Sequence, residues 1–450
     1  SLGIDLGQAS VPSVATRGLS RVKTAPSYDT TVFGLVGKVG IGDLDISEDG
    51  NTLWFVNLFD DKLYSLDITA YNNDGTTLPT AANVSSTTIP SLGCSNGVQR
   101  SWGTKVYKGQ VYVGSICDGS SGVTSDMRAR ISVFTPSGST WATAFEFPLT
   151  YPKGYPFNNV PALTGWYRWT DSFAEFSTGQ GTFSGLPLVV RPQPILSDIE
   201  FDIDGSMVIG LGDRGAMQMG YVNYGPTPPS TSLYVTSVGG DVLRAFLSNG
   251  TFVLENNGKA GPNTGFGPGN FQGPGFGEFY DDNWTIGAQK PHTEQSIGAL
   301  ALRPGSGEVI SVVVDPVNNT PNSGGVRWLN NSTGVTSRSY AVYANSNNAA
   351  DGLFGKAAGL GDLELNCDPV NYLEIGNRIW MDADADGIQD PGEMGISGVQ
   401  VQLVSPANAV LDTATTDANG NYYFSNSAGT NTASERYNIA GLTASTTGFK

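Results

Sequence analysis

The sequence predicts an all-β protein in which a propeller-like repeat domain precedes a smaller β-sandwich. Short segments of alternating apolar and polar residues recur along the chain, and convincing helical periodicity is missing. Clusters of Gly, Asn, Asp and Ser separate these segments, as turns separate strands. An acidic loop near the C-terminus has a further strand-like segment on each side. Together these observations predict two β units in one chain.

Four segments of the first unit share one pattern and are predicted to be the same strand of a repeat. The first three are each followed by a turn and a second apolar segment, which predicts recurring hairpins. Recurring hairpins favour a propeller of about five to seven blades. The fourth segment has no room for a blade of its own and is predicted to close the ring by completing the first blade. A string of β-sandwiches is the alternative, because the repeat is degenerate. The four segments are Ile41–Ile46, Leu196–Phe201, Ile297–Leu302 and Leu360–Leu365.

Three aspartates occupy equivalent positions in this repeat. Because the same strand recurs around the propeller axis, Asp43, Asp198 and Asp362 are predicted to converge there and to hold a cation or a polar ligand. In the alternative reading, each aspartate caps a loop or ties one blade to the next.

Two further positions are candidates for the mouth of the propeller. The single histidine, His292, lies just before one repeat strand, and Asp213 and Arg214 follow another hairpin. One histidine makes Ser-His-Asp hydrolysis or a multi-histidine metal centre hard to build, so the sequence predicts a protein that is not an enzyme. The acids at Glu278 and 281–282 would suit a carboxylate mechanism, but their spacing is not specific.

The chain has three cysteines. Cys94 and Cys117 lie on either side of two strand-like runs, close enough in sequence for a disulfide across neighbouring strands or loops. Cys367 is left over near the domain boundary, where it is either a small buried residue or an intermolecular thiol.

Residues 382–393 place oxygen-bearing side chains at loop positions one, three, five, nine and twelve, with glycine at position six. This spacing predicts a calcium site, because a hard cation takes six to eight oxygen ligands at close range. An acidic turn without metal is the alternative. The predicted ligands are Asp382, Asp384, Asp386, the carbonyl of Ile388, Asp390 directly or through water, and Glu393.

The segments on both sides of the loop alternate like strands, whereas an EF-hand would need amphipathic helices. The stretch from Glu374 to Lys450 resembles the SdrD B-like domain, a calcium-binding, prealbumin-like β-sandwich found in strings on bacterial surface proteins. The resemblance rests on IGNRIW, DADADGIQDPGE, GISGVQVQLV and TTDANGNYYF. It implies that the loop aspartates and the closing glutamate hold structural calcium. The segment 417–421 is predicted to be a hairpin turn, since Asn-Gly supplies the positive φ angles of a tight turn.

The predicted organisation is an N-terminal segment (1–40), the propeller-like domain (41–367), a linker (368–373) and the sandwich (374–450). Related domains run past the point where this chain stops, so the sandwich is expected to be incomplete. An incomplete sandwich would leave an unpaired strand edge for a neighbouring molecule.

The balance of 24 basic and 41 acidic residues gives a net charge of −17, which disfavours nucleic acid and anionic membranes as partners. No apolar run approaches the roughly 20 residues that span a bilayer, so no membrane insertion is expected. A first residue of Ser without a leader is expected of a mature secreted product.

With the resemblance, these features predict a structural or adhesive protein of the bacterial cell surface, with a calcium-rigidified stalk domain. Self-association into fibres or layers, or binding to neighbouring surface proteins, is expected. A glycan-binding lectin or a propeller enzyme that uses the axial mouth is the alternative.

Overall fold

The computed structural model forms two compact units, Ser1–Leu365 and Asn366–Lys450, called here the N-terminal and C-terminal units. The predicted N-terminal segment, 1–40, falls within the first unit. Of the predicted linker, only Leu373 lies among the described residues, and Cys367 lies outside them. The structure describes residues 2–17, 19, 29–158, 164–177, 181–227, 232–344, 356–357, 359–365, 373–385, 387–390, 392–405, 408–427, 429–440 and 442.

Four antiparallel sheets of four strands each build most of the N-terminal unit, and in each of them successive long strands pair as a meander. We name them sheets A to D in chain order. The described residues therefore form four blade-like sheets, fewer than the five to seven that the repeat predicted. The strands are Ile41–Ile46, Thr52–Asn57, Lys62–Asp67 and Val84–Thr88 in sheet A; Gln99–Tyr107, Gln110–Cys117, Arg128–Thr135 and Thr140–Pro148 in sheet B; Pro194–Phe201, Met207–Asp213, Asp241–Ser248 and Thr251–Leu254 in sheet C; and Ser296–Leu302, Glu308–Val314, Ser323–Asn330 and Thr336–Ala344 in sheet D.

The first strands of neighbouring sheets contact each other in chain order, from A to B, B to C and C to D. Each first strand contains a register shift near its start, typical of a β-bulge. A Cβ atom on Gly42 of the first bulge would lie 2.8 Å from the carbonyl oxygen of Trp102, so glycine allows the strands of sheets A and B to approach. Meanders whose first strands lie side by side are propeller-like, and the predicted all-β fold class is confirmed.

The segment Leu360–Leu365 does not form the predicted strand. Each of sheets A to D consists of four strands that lie close together in sequence, and this segment pairs with none of them. The segment instead packs through Leu360 and Leu363 against the hydrophobic cluster that includes Ile297 of sheet D. Burial is the main cause that raises the pKa of Asp43 in sheet A. The nearby charge of Asp362, in this segment, raises it further. The segment thus contacts both the last and the first sheet without pairing as a strand.

The largest hydrophobic cluster joins sheets B and C, and it includes aromatic residues of the insertion between them. Tyr151, Trp166 and Trp169 are buried there, so they pack the insertion onto the sheets. Cys94 and Cys117 form a disulfide with Cα atoms 5.5 Å apart, which fixes the entry into sheet B.

Short elements connect the sheets. The α-helices are Val14–Arg17, Thr30–Phe33, Thr69–Asp74, Phe173–Ser177 and Arg214–Met219, and the 3-10 turns are Gln8–Ser10, Ala81–Asn83, Thr124–Asp126, Pro136–Gly138 and Pro274–Phe276. Two-stranded pairs are Thr182–Phe183 with Leu186–Pro187, Asn223–Tyr224 with Leu233–Tyr234, Lys259–Ala260 with Asn263–Thr264, and Trp284–Ile286 with Gln289–His292. No helix in the described part of the chain has the length and hydropathy that crossing a membrane requires.

The C-terminal unit contains two small sheets around one apolar cluster. One sheet pairs Glu374–Arg378 with Asn421–Ser425 and adds Glu435–Arg436 in parallel, and the other pairs Gln400–Val404 with Val410–Thr415. The core between them is small. Its buried residues are Leu403, Ala414, Phe424, Ile439 and Leu442.

The predicted turn at 417–421 forms, but it is not a hairpin. Gly420 has a φ of 81° and its N–H donates to the carbonyl of Asp417 at 3.0 Å, as a tight turn requires. The strands on its two sides, Val410–Thr415 and Asn421–Ser425, belong to different sheets. The turn is therefore a corner between the sheets. The Asn-Gly signal predicted the backbone of the turn correctly, but it carries no information about which strands pair.

Candidate functional site

The acidic loop 382–393 lies between Glu374–Arg378 and Gln400–Val404, so strands flank it as predicted. Its base is closed by an antiparallel bridge between Trp380 and Gly395 and by the N–H of Met381, which donates to the carbonyl of Met394 at 3.0 Å. Both ends of the loop are thereby held together before any ligand is considered.

Three carboxylates of this loop converge. Asp382, Asp384 and Glu393 each place one oxygen so that all three oxygens lie within 4.8 Å of one another. Two oxygens on opposite sides of one calcium ion are up to about 5 Å apart, because each Ca–O distance is about 2.3–2.6 Å. The all-oxygen donor set and its spacing therefore fit a calcium ion.

Backbone hydrogen bonds hold these carboxylates in place. The N–H of Gly387 donates to Asp382 Oδ2 at 2.9 Å, and Gly387 has the positive φ, 78°, of a sharp turn. Glu393 accepts through both oxygens, from Ala383 N at 2.7 Å and from Asp390 N at 3.0 Å. Each oxygen keeps further lone-pair capacity toward a cation.

The other three predicted ligands are Asp386, the carbonyl of Ile388 and Asp390. Asp386 lies outside the described residues. Asp390 is exposed and contributes its N–H to the position of Glu393, while its own carboxylate and the carbonyl of Ile388 stay predicted ligands.

In the N-terminal unit, Asp43 and Asp198 each tie one sheet to the next. Asp43 accepts from its neighbour Leu44 N at 2.7 Å and from Thr104 N of sheet B at 2.8 Å. Asp198 repeats the arrangement, with acceptance from Ile199 N and from Leu300 N of sheet D, both at 2.6 Å. This geometry matches the alternative reading, in which the aspartates tie blades together.

Asp362 lies close enough to interact electrostatically with Asp43 and Asp198. Unlike them, it is not buried. Burial raises the pKa of both Asp43 and Asp198. The charge of Asp362 raises the pKa of Asp43 further, and the charges of Asp43 and Asp362 raise that of Asp198. Asp362 itself is exposed, and its carboxylate accepts from Leu363 N at 2.8 Å. The three repeat aspartates are therefore neighbours, as predicted, although only Asp362 faces solvent.

Asp213 and Arg214 do not face a mouth. Asp213 caps the helix Arg214–Met219 by accepting from Gly215 N and Ala216 N, and its carboxylate also accepts from the backbone of Gln193 and Gly239. The buried guanidinium of Arg214 has its partners on other segments: the carbonyls of Gly34, Val36 and Thr170 and the side chains of Asp171 and Gln193. Both residues are thus used to join segments.

His292 belongs to a separate buried group. Its Nδ1 lies 2.5 Å from the carbonyl oxygen of Pro156, and its Nε2 lies 2.9 Å from Lys356 Nζ. Lys356 in turn pairs with Asp315 at 2.8 Å. Burial and the adjacent lysine lower the pKa of His292 to about 3, so the ring is neutral near pH 7. The six predicted axial residues therefore do not form one pocket: the histidine and the Asp213–Arg214 pair each have structural surroundings of their own.

A second group of converging carboxylates was missed by the sequence reasoning. Glu278, Asp282 and Glu294 each place an oxygen within 4.8 Å of the others, and all three side chains are buried. The sequence analysis named Glu278 and Asp282 as acids without a specific spacing, but it did not include Glu294. The hairpin Trp284–His292 brings Glu294 back to the other two. The sequence feature that could have indicated this group is the presence of acidic residues just before and just after a predicted short hairpin.

Comparison with known proteins supports the C-terminal assignment. Residues 373–448 match the family model of the SdrD B-like domain. The C-terminal segment carries an SdrD B-like domain. The predicted resemblance is thereby confirmed for this part of the chain.

Two relatives show how far the similarity extends. The chain is 31% identical over 411 residues to Colossin-B of Dictyostelium discoideum, an alignment that covers 86% of this chain and 10% of that protein. It is 48% identical over 52 residues to Serine-aspartate repeat-containing protein F of Staphylococcus epidermidis, which covers 12% of this chain and 3% of that protein. The chain thus spans a tenth or less of these relatives, and a bacterial source stays a prediction.

Among solved structures, a β-xylosidase, RS223, is 9% identical with a TM-score of 0.32, and the alignment covers 71% of this chain and 82% of that chain. This similarity is too low to assign an activity.

Proposed function

We propose that the chain is part of an extracellular structural or adhesive surface protein in which calcium rigidifies the SdrD B-like domain. The convergence of Asp382, Asp384 and Glu393 within a segment that matches this domain family carries the proposal. The similarity to a serine-aspartate repeat-containing protein and to a colossin supports a role as one module of a long protein.

Calcium would act on a unit that has little else to stabilise it. The apolar core of the C-terminal unit is small, and small domains commonly depend on a metal or a disulfide. Without a cation, three carboxylates within 4.8 Å repel one another. With calcium, the two ends of the loop are held by one ion, and the free energy of binding becomes free energy of folding.

The proposed partners are further copies of the chain or neighbouring surface proteins. Within the described residues, Gln400–Val404 pairs with one strand, Val410–Thr415, so its other side is an edge. Such an edge can accept a strand from another molecule. Fibre or layer assembly through this edge is part of the proposal.

The proposal contains no catalytic step and no sugar ligand at the axis. Asp43, Asp198 and Asp213 accept backbone hydrogen bonds that join segments, and His292 is buried beside Lys356. These groups are used by the fold, which favours a structural role over the lectin or enzyme alternative.

Thermal unfolding of the full chain, with calcium and with chelator, tests the calcium role. Calcium is expected to raise the midpoint of the C-terminal unit in the parent and to leave it unchanged in the D384N/E393Q variant. Glu435→Gln is the matched control, because it removes an exposed carboxylate of the same unit outside the loop. A parent midpoint that calcium does not move would refute the role.

Electron microscopy under the same two conditions tests assembly. Filaments or sheets that dissolve in chelator are expected. Isolated particles in both conditions would contradict assembly and leave a displayed binding module as the interpretation.

A further inference from the structure

The buried group Glu278, Asp282 and Glu294 lies in the N-terminal unit, apart from the loop at 382–393. Their exposed fractions are 6%, 3% and 2%. Glu278 and Asp282 come from the loop before the hairpin Trp284–His292, and Glu294 follows the hairpin and precedes the first strand of sheet D. Three carboxylates with oxygens within 4.8 Å therefore meet where water has little access.

The carboxylate of Asp282 has no hydrogen-bond donor among the described residues, although both of its oxygens are buried. Asn283 Oδ1 is buried without a donor as well, while its Nδ2 donates to Glu278 Oε1 at 3.0 Å. Buried polar atoms nearly always have partners, so oxygen atoms of this kind indicate a ligand that accepts their lone pairs.

The nearby positive charge is too small to balance the acids. Lys153 Nζ lies 3.0 Å from Glu294 Oε2 and is the basic group that ion-pairs with the trio in the described part of the chain. Asp241, a further acid close to Asp282 and Glu294, accepts from the hydroxyl of Tyr151 at 2.7 Å. Arg327 also interacts electrostatically with Asp282, and Asp281 is a further acid beside it. The acids therefore outnumber the basic groups, and a divalent cation would offset the excess negative charge.

We propose that Glu278, Asp282 and Glu294 form a buried binding site for a divalent cation, with calcium preferred. The donors are all oxygen, which suits a hard cation, and the irregular set of carboxylates with an adjacent amide oxygen suits the flexible coordination of calcium better than the strict octahedron of magnesium.

The ion would join three segments of the N-terminal unit. Asp282 and Glu278 fix the loop before the hairpin. Glu294 leads into sheet D, and one of its oxygens also accepts from Gly154 N of the insertion between sheets B and C. The site is independent of the function proposed for the C-terminal unit.

Metal content of the full chain tests the proposal. In a D384N/E393Q background, which removes the C-terminal loop, the chain is equilibrated with calcium, dialysed and analysed for bound metal. One equivalent of calcium per chain is expected, and adding Asp282→Asn should abolish it. Adding Glu200→Gln should not, because Glu200 is a buried carboxylate of the same unit that pairs instead with Lys105 at 2.9 Å.

Unfolding of the N-terminal unit gives a second readout in case metal content falls through misfolding. In chelator, Asp282→Asn should equal or exceed its background in midpoint, because a buried charge without a partner has been removed. Calcium should raise the unfolding midpoint of the N-terminal unit in the D384N/E393Q background, and it should not raise it when Asp282→Asn is added.

Two results would overturn the site: a background chain that holds no calcium, or an Asp282→Asn chain that keeps both the ion and the calcium-dependent shift. Failure of the C-terminal role would show separately, as equal calcium content in the parent and the D384N/E393Q background.

Discussion

Asp198 and Asp384 are both aspartates of β units, but their surroundings differ. Asp198 is 4% exposed, and its two oxygens accept backbone N–H groups, one of them from sheet D. Asp384 is exposed, and one of its oxygens lies beside those of Asp382 and Glu393. In the N-terminal unit the fold itself supplies the partners of this carboxylate, whereas in the C-terminal unit the proposed calcium ion would supply them. The comparison teaches that acidity alone does not predict a metal site, because the partners of the oxygens decide it.

The largest difference in the loss of stability between the two units is expected when an aspartate that accepts backbone hydrogen bonds is removed from each. Asp213→Ala should lower the free energy of unfolding of the N-terminal unit by about 3–5 kcal/mol, because four backbone N–H groups would lose a buried acceptor. Asp417→Ala, in the corner turn of the C-terminal unit, should have a much smaller effect, since water can replace the exposed acceptor. Urea unfolding with a probe in each unit measures both. Equal losses would break the comparison.

Covalent cross-linking also separates the units. The C94S/C117S variant should lower the free energy of unfolding of the N-terminal unit by about 3 kcal/mol, because the disulfide closes a loop across a sequence separation of 23 in the unfolded chain. The C-terminal transition should not move, as both cysteines lie in the other unit. Calcium is held constant while the two transitions are followed. A shift confined to the C-terminal unit would be the contrary result.

The same substitution in both units sharpens the comparison further. Asp198→Asn should cost the N-terminal unit about 1–3 kcal/mol with or without calcium, because the amide nitrogen cannot accept a backbone N–H. Asp384→Asn should weaken the C-terminal unit in calcium and leave it unchanged or slightly more stable in chelator, since one of three repelling charges is gone. Unfolding midpoints of both variants, with and without calcium, give four comparable values. A calcium-dependent effect at Asp198 would instead favour the axial cation site that the repeat predicted.

The sequence predicted best those features that depend on short spacing. The loop 382–393 was recognisable because its oxygen-bearing side chains, its turn glycine and its flanking strands lie within one stretch of chain. The first three repeat strands were recognised for the same reason, since a strand and its following turn are local. The prediction for the fourth, Leu360–Leu365, was wrong because a local alternation fits a strand but does not determine whether a neighbouring strand pairs with it.

The buried site could not be predicted because its members meet only after folding. Glu294 reaches Asp282 across the hairpin Trp284–His292, and Lys153 comes from an insertion far away in sequence. Likewise, the equivalence of Asp43 and Asp198 was visible in the repeat, but their backbone partners on neighbouring sheets were not. The same residues therefore suggested a cation site where the fold uses them as ties between sheets.

The last comparison between the two units concerns the pH dependence of their stability. Burial raises the pKa of Glu255 from 4.5 to about 8, although it accepts from Arg244 N and Phe279 N. Between these two pH values the folded state keeps a proton that the unfolded state has released, so raising the pH lowers the free energy of unfolding of the N-terminal unit by about 1 kcal/mol per pH unit. The full contribution is present below pH 4.5 and is lost as the pH rises through 8.

The C-terminal unit should respond with the opposite sign. A hydrogen bond from Asn421 N holds the pKa of Asp417 below its usual value, so this group contributes stability that is lost only as the pH falls below about 4. Both transitions are followed in chelator from pH 8 to pH 3, with Glu255→Gln as the control that should reduce the N-terminal slope, because Glu200 and Glu294 also have raised pKa values. The sign of the slope of unfolding free energy against pH depends on whether the environment of each acid raises or lowers its pKa. If both units lost stability in parallel on acidification, the buried carboxylates of the N-terminal unit would not distinguish it from the C-terminal unit.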